Sequence, residues 1–276
     1  MIAELDWIPS AHLEPVTRLR KDVLDAARVL SEAEARYLVD AYYAMQDKRK
    51  AADQQTNALA DSGEPNQVLA WLADQDRLLE HQIQRALARY SASQPLGQWA
   101  RSQVGIGPVI AAGLLAHIDF SRIHTAGAIW RYAGLDPTVS WGKGEKRPWN
   151  ASLKVLCWKI GDSFVKTSNH PKSYYGPIYR ARKELEEQRN AEGLFAEQAA
   201  TTLAAKKIKD AATRAVYEAG RLPAGRLDLR ARRVAVKLFL SHYFEVGYEL
   251  HHGTKPPAPY VFAIAKHAHY LPPPNW

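Results

Sequence analysis

The sequence predicts an all-α protein: a long antiparallel helical hairpin (a coiled-coil arm), then a helix-hairpin-helix domain and a helical C-terminal region. Three observations carry this reading. Apolar residues recur at helical spacing over long stretches. Capping residues, glycine and proline sit between those stretches. No segment alternates polar and apolar residues as a half-buried strand would, and there is no internal repeat.

Residues 1–30 read as an N-terminal helical segment. Ser31 with Glu34 forms a capping box, in which each side chain satisfies an amide at the helix start. After it Ala35, Leu38, Val39, Tyr42, Met45, Ala52, Thr56 and Leu59 follow one helix face. The cluster Asp61-Ser62-Gly63-Glu64-Pro65-Asn66 breaks it, and a second helix carries Val68, Leu72, Leu79, Ile83, Ala86 and Tyr90. Two helices of about 25 residues would each span roughly 38 Å. The arm thus covers residues 31–92, with a narrow apolar stripe suited to packing on itself, a second copy or RNA.

Residues 93–192 form the next expected domain. Leu96, Trp99 and Ala100 precede Gly105-Ile106-Gly107-Pro108, and an apolar run with Ala111, Ala112 and Gly113 follows. Glycine allows a tight, partly left-handed turn, and proline suits the first helical position. The amides at that helix start are an expected anion site, and in nucleic-acid-binding hairpins they face a backbone phosphate. An ordinary tight αα-corner is the other reading. A short helix through Ala126, Ile129, Trp130 and Tyr132 should end at Gly134. The loop Ser140-Trp141-Gly142-Lys143-Gly144-Glu145-Lys146-Arg147-Pro148-Trp149 follows, and Asn150 or Ser152 is the expected cap of the next helix. Its cations and flat rings suit phosphates and unstacked bases, unless the tryptophans fold back into the core. Helices are also expected near 174–191, 194–219 and 227–250, with one short helix at 260–267 inside a proline-rich tail. Residues 193–276 make up the C-terminal region.

Charge points the same way. The formal net charge is +8, but residues 1–100 hold 11 basic and 15 acidic side chains. Residues 141–183 hold 10 basic and 2 acidic, and residues 201–237 hold 10 and 3. An acidic first third beside two basic blocks fits a polyanion held by one part of the protein.

Several chemistries are disfavoured. Gly142-Lys143-Gly144 lacks the spacing of a phosphate-binding P-loop. The histidines His251-His252, His267/His269 and His117 offer no convincing ligand set, so no metal and no cofactor are expected. The carboxylates read as solvated helix faces rather than a two-metal nuclease site. No apolar run is long enough to cross a bilayer, so no membrane partner is expected. The N-terminus lacks the basic start of a signal peptide, and the lone Cys157 reads as a core residue in a reducing, cytoplasmic setting.

The stretch Gly105-Ile106-Gly107-Pro108 through Leu114-Leu115-Ala116-His117-Ile118, with Tyr132-Ala133-Gly134-Leu135-Asp136-Pro137, resembles the C-terminal domain of insertion-sequence transposases that use a bridge RNA. Those enzymes carry a serine nucleophile in an S-x-G setting, and Ser140-Trp141-Gly142 falls at about the matching place. They also have a RuvC-like acidic domain, which finds no counterpart here. The long helical hairpin, the Gly-rich turn and the basic region are similar to the Nop domain of box C/D ribonucleoproteins. Both resemblances meet in the Tas proteins of tandem interspaced guide RNA (TIGR) systems of prokaryotes and phages, over roughly residues 30–190, and this chain resembles the stand-alone, nuclease-free kind.

What these resemblances imply is a non-catalytic protein that binds a guide RNA and is directed to target DNA by base pairing, with a homodimer as a further expectation. Gly105, Ile106 and Gly107 would hold a phosphate by their amides. Lys143, Lys146, Arg147, Lys154 and Lys159 would neutralise the backbone, and Trp141 or Trp149 would stack on a base. Two alternatives stand beside it. One is a transposase or recombinase using Ser140 as nucleophile, with carboxylates supplied by another chain. The other is a generic helix-hairpin-helix DNA-binding protein with no preference for RNA.

Overall fold

A computed structural model describes residues 18–61, 67–257 and 270–276. The breaker cluster beyond Asp61 and the helix expected at 260–267 lie outside the described residues. Among the described residues there are eleven α-helices and no strand. They are α1 (Lys21–Ala26), α2 (Glu32–Asp61), α3 (Gln67–Ser93), α4 (Pro95–Ser102), α5 (Pro108–His117), α6 (Ala126–Tyr132), α7 (Ala151–Lys166), α8 (Tyr175–Ala191), α9 (Ala196–Ala205), α10 (Ala211–Glu218) and α11 (Ala224–His252). The chain folds into two compact units, Met1–Gln98 with Gly107–His117, and Trp99–Ile106 with Ile118–Trp276.

In the first unit the capping box forms as its residues dictate. The Ser31 amide donates to Glu34 Oε2 at 2.8 Å, and the Glu34 amide donates to Ser31 Oγ at 3.3 Å. Helices α2 and α3 pair in opposite directions: Arg49 Nε donates to Glu80 at 2.6 Å, and Arg77 pairs with Asp53. Helix α5 closes the unit, with Val109, Ala112 and Ala116 buried against Ala35, Val39, Leu87 and Tyr90. Small side chains at Ala112 and Ala116 let it lie close to both long helices, and Arg36 caps its end by donating to the Ala116 carbonyl.

The second unit is organised around α11. Phe239 of α11 meets Trp99 (ring centroids 6.0 Å apart), Phe164 of α7 (5.6 Å) and Tyr175 of α8 (5.3 Å). The expected helix over 194–219 is two helices. The run Lys206-Lys207-Ile208-Lys209 separates them, and Asp210 starts α10 by accepting from the Thr213 amide at 2.7 Å. Asp210 is a cap hidden inside an otherwise helical pattern.

His242 is buried in this core at 1% exposure. Its Nε2 lies 2.9 Å from the Leu271 carbonyl, which can only accept, so Nε2 carries the proton. The Tyr175 hydroxyl then donates to Nδ1 at 2.8 Å. Burial pushes the imidazole down to about 4, with the Leu271 carbonyl opposing weakly. Between pH ~6.5 and ~4 the unfolded chain takes up a proton that the native chain refuses, so stability falls as pH falls, by roughly 3 kcal/mol across the window. Thermal melts over that range are expected to show the loss, and His242→Asn to flatten it. An equal slope in the variant would contradict this role.

Candidate nucleic-acid interface

The glycine turn forms between α4 and α5, but its three residues differ in what they offer. Gly105 has φ 99°, the left-handed region that glycine alone enters freely. A Cβ there would stand 3.0 Å from Thr167 Oγ1 and 3.1 Å from Phe164 Cδ1, and Ser163 Oγ donates to the Gly105 carbonyl at 2.6 Å. Gly105 is thus fastened to the last turn of α7. Ile106 is 5% exposed and its amide donates to the Gln103 carbonyl at 3.0 Å. Its side chain is core and its N–H is already used, so it offers nothing to a phosphate. Gly107 is exposed, and a Cβ there would meet no atom within 4 Å. Its carbonyl accepts from Ala111 at 3.0 Å, which makes it the cap residue of α5.

The loop before α7 is ordered by its own side chains. Glu145 Oε2 accepts from the Gly142 amide and the Glu145 carbonyl accepts from Trp141 Nε1, each at 2.8 Å. Trp141 and Trp149 meet edge to face at 6.1 Å. Asn150, rather than Ser152, caps α7 by accepting from the Leu153 amide at 2.9 Å, while its Nδ2 donates to the Tyr132 hydroxyl at 2.9 Å. Gly134, at φ 65°, ends the segment after α6, and a Cβ there would come within 2.8 Å of the Trp149 ring. Trp149 therefore packs down over that glycine, whereas Trp141 stays 42% exposed.

Each indole holds a cation. The Arg147 guanidinium lies 5.1 Å from the Trp141 ring centre, and Lys154 Nζ lies 4.1 Å from that of Trp149. A third pair, absent from the sequence reading, joins Lys237 Nζ to Trp130 at 3.9 Å, with Trp130 Nε1 donating to the Lys237 carbonyl at 3.0 Å. A ring beneath a cation attracts it through its quadrupole and limits its rotamers. The Lys154 ammonium is held below its usual pKa, by partial burial first and then by the Arg233 and Arg147 guanidiniums. The Lys237 ammonium is also lowered, chiefly by burial, with Arg233 adding and Asp136 opposing. Among the described residues no carboxylate pairs with Lys154, and a phosphate would supply that counter-charge.

Tyr132, Lys146, Arg147, Pro148, Trp149 and Asn150 line an open depression of about 440 Å³. Among the described residues Lys143, Lys146 and Arg147 form no ion pair, and all three are exposed. Lys159 lies further along α7 and is half-buried. Trp141, Lys146, Arg147, Trp149 and Lys154 are therefore brought together. Gly105 is not among them: it packs at the far end of α7, and the 13 residues from Asn150 to Ser163 span about 20 Å.

Catalytic groups are not assembled around Ser140. It is exposed, and no described side chain hydrogen-bonds to it. Among the described residues no group of three or more His, Cys, Asp or Glu is placed to hold a metal ion. Three carboxylates of this unit are engaged elsewhere: Asp162 pairs with Lys166 and Arg232, Asp228 with Arg232, and Glu186 with Arg182 and Arg230. Cys157 is buried, its thiol pushed up to about 12 by burial. No helix among the described residues is long and apolar enough to cross a membrane.

Residues 98–149 match the model of the transposase IS116/IS110/IS902 family. No curated protein and no solved structure matches the chain. The matching stretch runs from α4 through the glycine turn, α5 and α6 to Trp149. The turn, Ser140 and the whole tryptophan–lysine loop to Trp149 thus lie within a segment similar to a transposase domain.

Proposed function

We propose that this protein binds the phosphodiester backbone of a structured guide RNA and is directed by it to DNA, without catalysing strand cleavage itself. The observation that carries the reading is the face of the second unit where Arg147, Lys154 and Lys237 are each held over a tryptophan, beside unpaired Lys143 and Lys146. Held cations suit a ligand of fixed charge spacing, because little side-chain entropy is lost on binding. The tryptophans then act mainly as supports for cations, and Trp141 keeps the exposed area for a base to stack on. Sequence choice would lie with base pairing by the guide. The test is to purify the full chain from its native cells and sequence the nucleic acid that travels with it. A discrete small RNA supports the reading, whereas random fragments or none overturn it.

The family match favours a second reading, strand transfer through Ser140 with carboxylates from another chain. A serine hydroxyl needs a base or metal beside it to attack. On the non-catalytic reading, Ser140→Ala leaves nucleic-acid affinity unchanged and removes no activity. Loss of strand transfer with intact binding would establish the transposase reading instead.

A further inference from the structure

The second basic block of the sequence, residues 201–237, has no part in the site described so far except through Lys237 and its neighbour Arg233. Four of its cations, Arg226, Arg230, Arg233 and Lys237, recur at steps of four, three and four residues on α11. That spacing sets them on one face of the helix, along about 17 Å. Arg226, Leu229, Arg230 and Arg233 line one groove of about 190 Å³ together with Gln198 of α9. Like charges three and four residues apart on a helix repel, and little nearby relieves them. Glu186 is the carboxylate that meets Arg230, and it is shared with Arg182. Arg226 and Arg233 form no ion pair among the described residues.

The one other basic residue between Arg226 and Lys237 behaves differently. Arg232, next in sequence to Arg233, points to another face and is neutralised by Asp162 at 3.2 Å and Asp228 at 2.6 Å. The helix thus separates Arg232, which is paired twice and holds the fold together, from a row in which Arg226 and Arg233 form no ion pair among the described residues. The row also has a direction. Arg233 stands one helical turn before Lys237, which is held 3.9 Å over the Trp130 ring, so the groove runs on to a tryptophan-held cation, and the same guanidinium helps to lower the pKa values of Lys154 and Lys237.

We infer that Arg226, Arg230, Arg233 and Lys237 form a track for a phosphodiester backbone, running from the Trp130–Lys237 pair to the groove beside Gln198. A track of this length faces about five phosphates of one duplex strand. The inference rests on the nucleic-acid reading above and gives the C-terminal third of the chain a role in it. Guanidinium groups suit the task because each can donate two parallel hydrogen bonds to one phosphate.

The experiment titrates the full chain against a labelled RNA stem–loop and, separately, a labelled DNA duplex of equal length, from about 50 to 200 mM salt. The variant is Arg226→Gln/Arg233→Gln, with Arg226→Lys/Arg233→Lys as its charge-retaining partner. On whichever probe the unmodified protein binds, the glutamine variant is expected to lose roughly 25- to 60-fold in affinity at 0.1 M salt and to flatten the log–log salt slope by about 1.4 on single strands or 1.8 on duplex. The lysine variant is expected to keep the slope. Circular dichroism and melting temperature should match the parent, since neither guanidinium supports the fold. An unchanged slope and affinity in the glutamine variant, with binding by the parent and losses from loop variants, would overturn the track and leave the wider reading intact. No binding of either probe by the parent would overturn both. The probe that shows the change says whether the track takes RNA or DNA.

Discussion

The triple variant Lys143→Gln/Lys146→Gln/Arg147→Gln is expected to bind nucleic acid at least about a hundredfold more weakly than the parent at 0.1 M salt. Each phosphate contact contributes a salt-slope increment of about 0.7 to 0.9, or roughly five- to eightfold in affinity at that salt concentration. The three side chains are exposed, and none is used in an ion pair among the described residues. Their removal therefore costs the fold little, and surface changes of this kind usually stay within about 0.5 kcal/mol. Arg147 has one further tie, its position over Trp141, whose indole N–H remains bonded to the Glu145 carbonyl. Filter binding across a salt series, with a melt as control, checks the outcome. Weak binding with an unchanged slope would mean that the loss is structural and not electrostatic.

Glu186→Ala is expected to produce a large loss of stability in the second unit. Glu186 is fully buried on α8, 2.6 Å from Arg230 Nε and 2.5 Å from Arg182 Nη2. Burial opposes its ionisation, but the two guanidiniums hold its carboxyl below the usual range. Removing it leaves two arginines without a counter-charge, a change that costs about 3–5 kcal/mol in a wholly buried pair. Here both guanidiniums reach water, at 29% and 33% exposure, so the expected loss is about 2–3 kcal/mol. The melting temperature should fall by roughly 5–10 °C. Arg230 also lies 4.5 Å over the Phe195 ring and lines the α11 groove, so the variant loosens one wall of the proposed track. A melting temperature within a degree or two of the parent would show that the triad contributes no net stability.

Much of the architecture was legible in the residues. The Ser31–Glu34 box, Pro108 as the first residue of α5, Asn150 as one of two candidate caps of α7 and a left-handed glycine in the turn before α5 are local features. Each depends on neighbours within a few positions, which is what a single sequence displays. The misses have the opposite character. Ile106 stands between two glycines and so looked like part of an exposed turn. It is buried because the chain around it folds onto Gln103 and α7, contacts that periodicity does not encode. Trp130 read as one more apolar residue of a short helix. Its partner Lys237 lies over a hundred residues away, and only the packing of α6 on α11 joins them. The split between α9 and α10 shows a third case. Asp210 could have been recognised as a cap, but the apolar residues on either side continue the helical pattern and mask it.

The candidate site was legible as chemistry and not as geometry. The loop was identified from its lysines and tryptophans, yet base stacking was the expected use of the rings. The structure also places a cation over each ring, a contact that composition does not encode. Compositional charge also marked residues 201–237 as basic. It could not separate Arg232, which is paired twice, from Arg233, which forms no ion pair among the described residues.

The central claim is that the tryptophan-held cations of the second unit contact a nucleic-acid backbone. Ultraviolet crosslinking of the full chain with its co-purified nucleic acid, followed by mass spectrometry of the crosslinked peptides, tests it most directly. The expected result is nucleotide attached within residues 140–154, abolished by ribonuclease but not by deoxyribonuclease treatment before irradiation. Crosslinks confined to α2 and α3, or a protein that carries no nucleic acid, would contradict it.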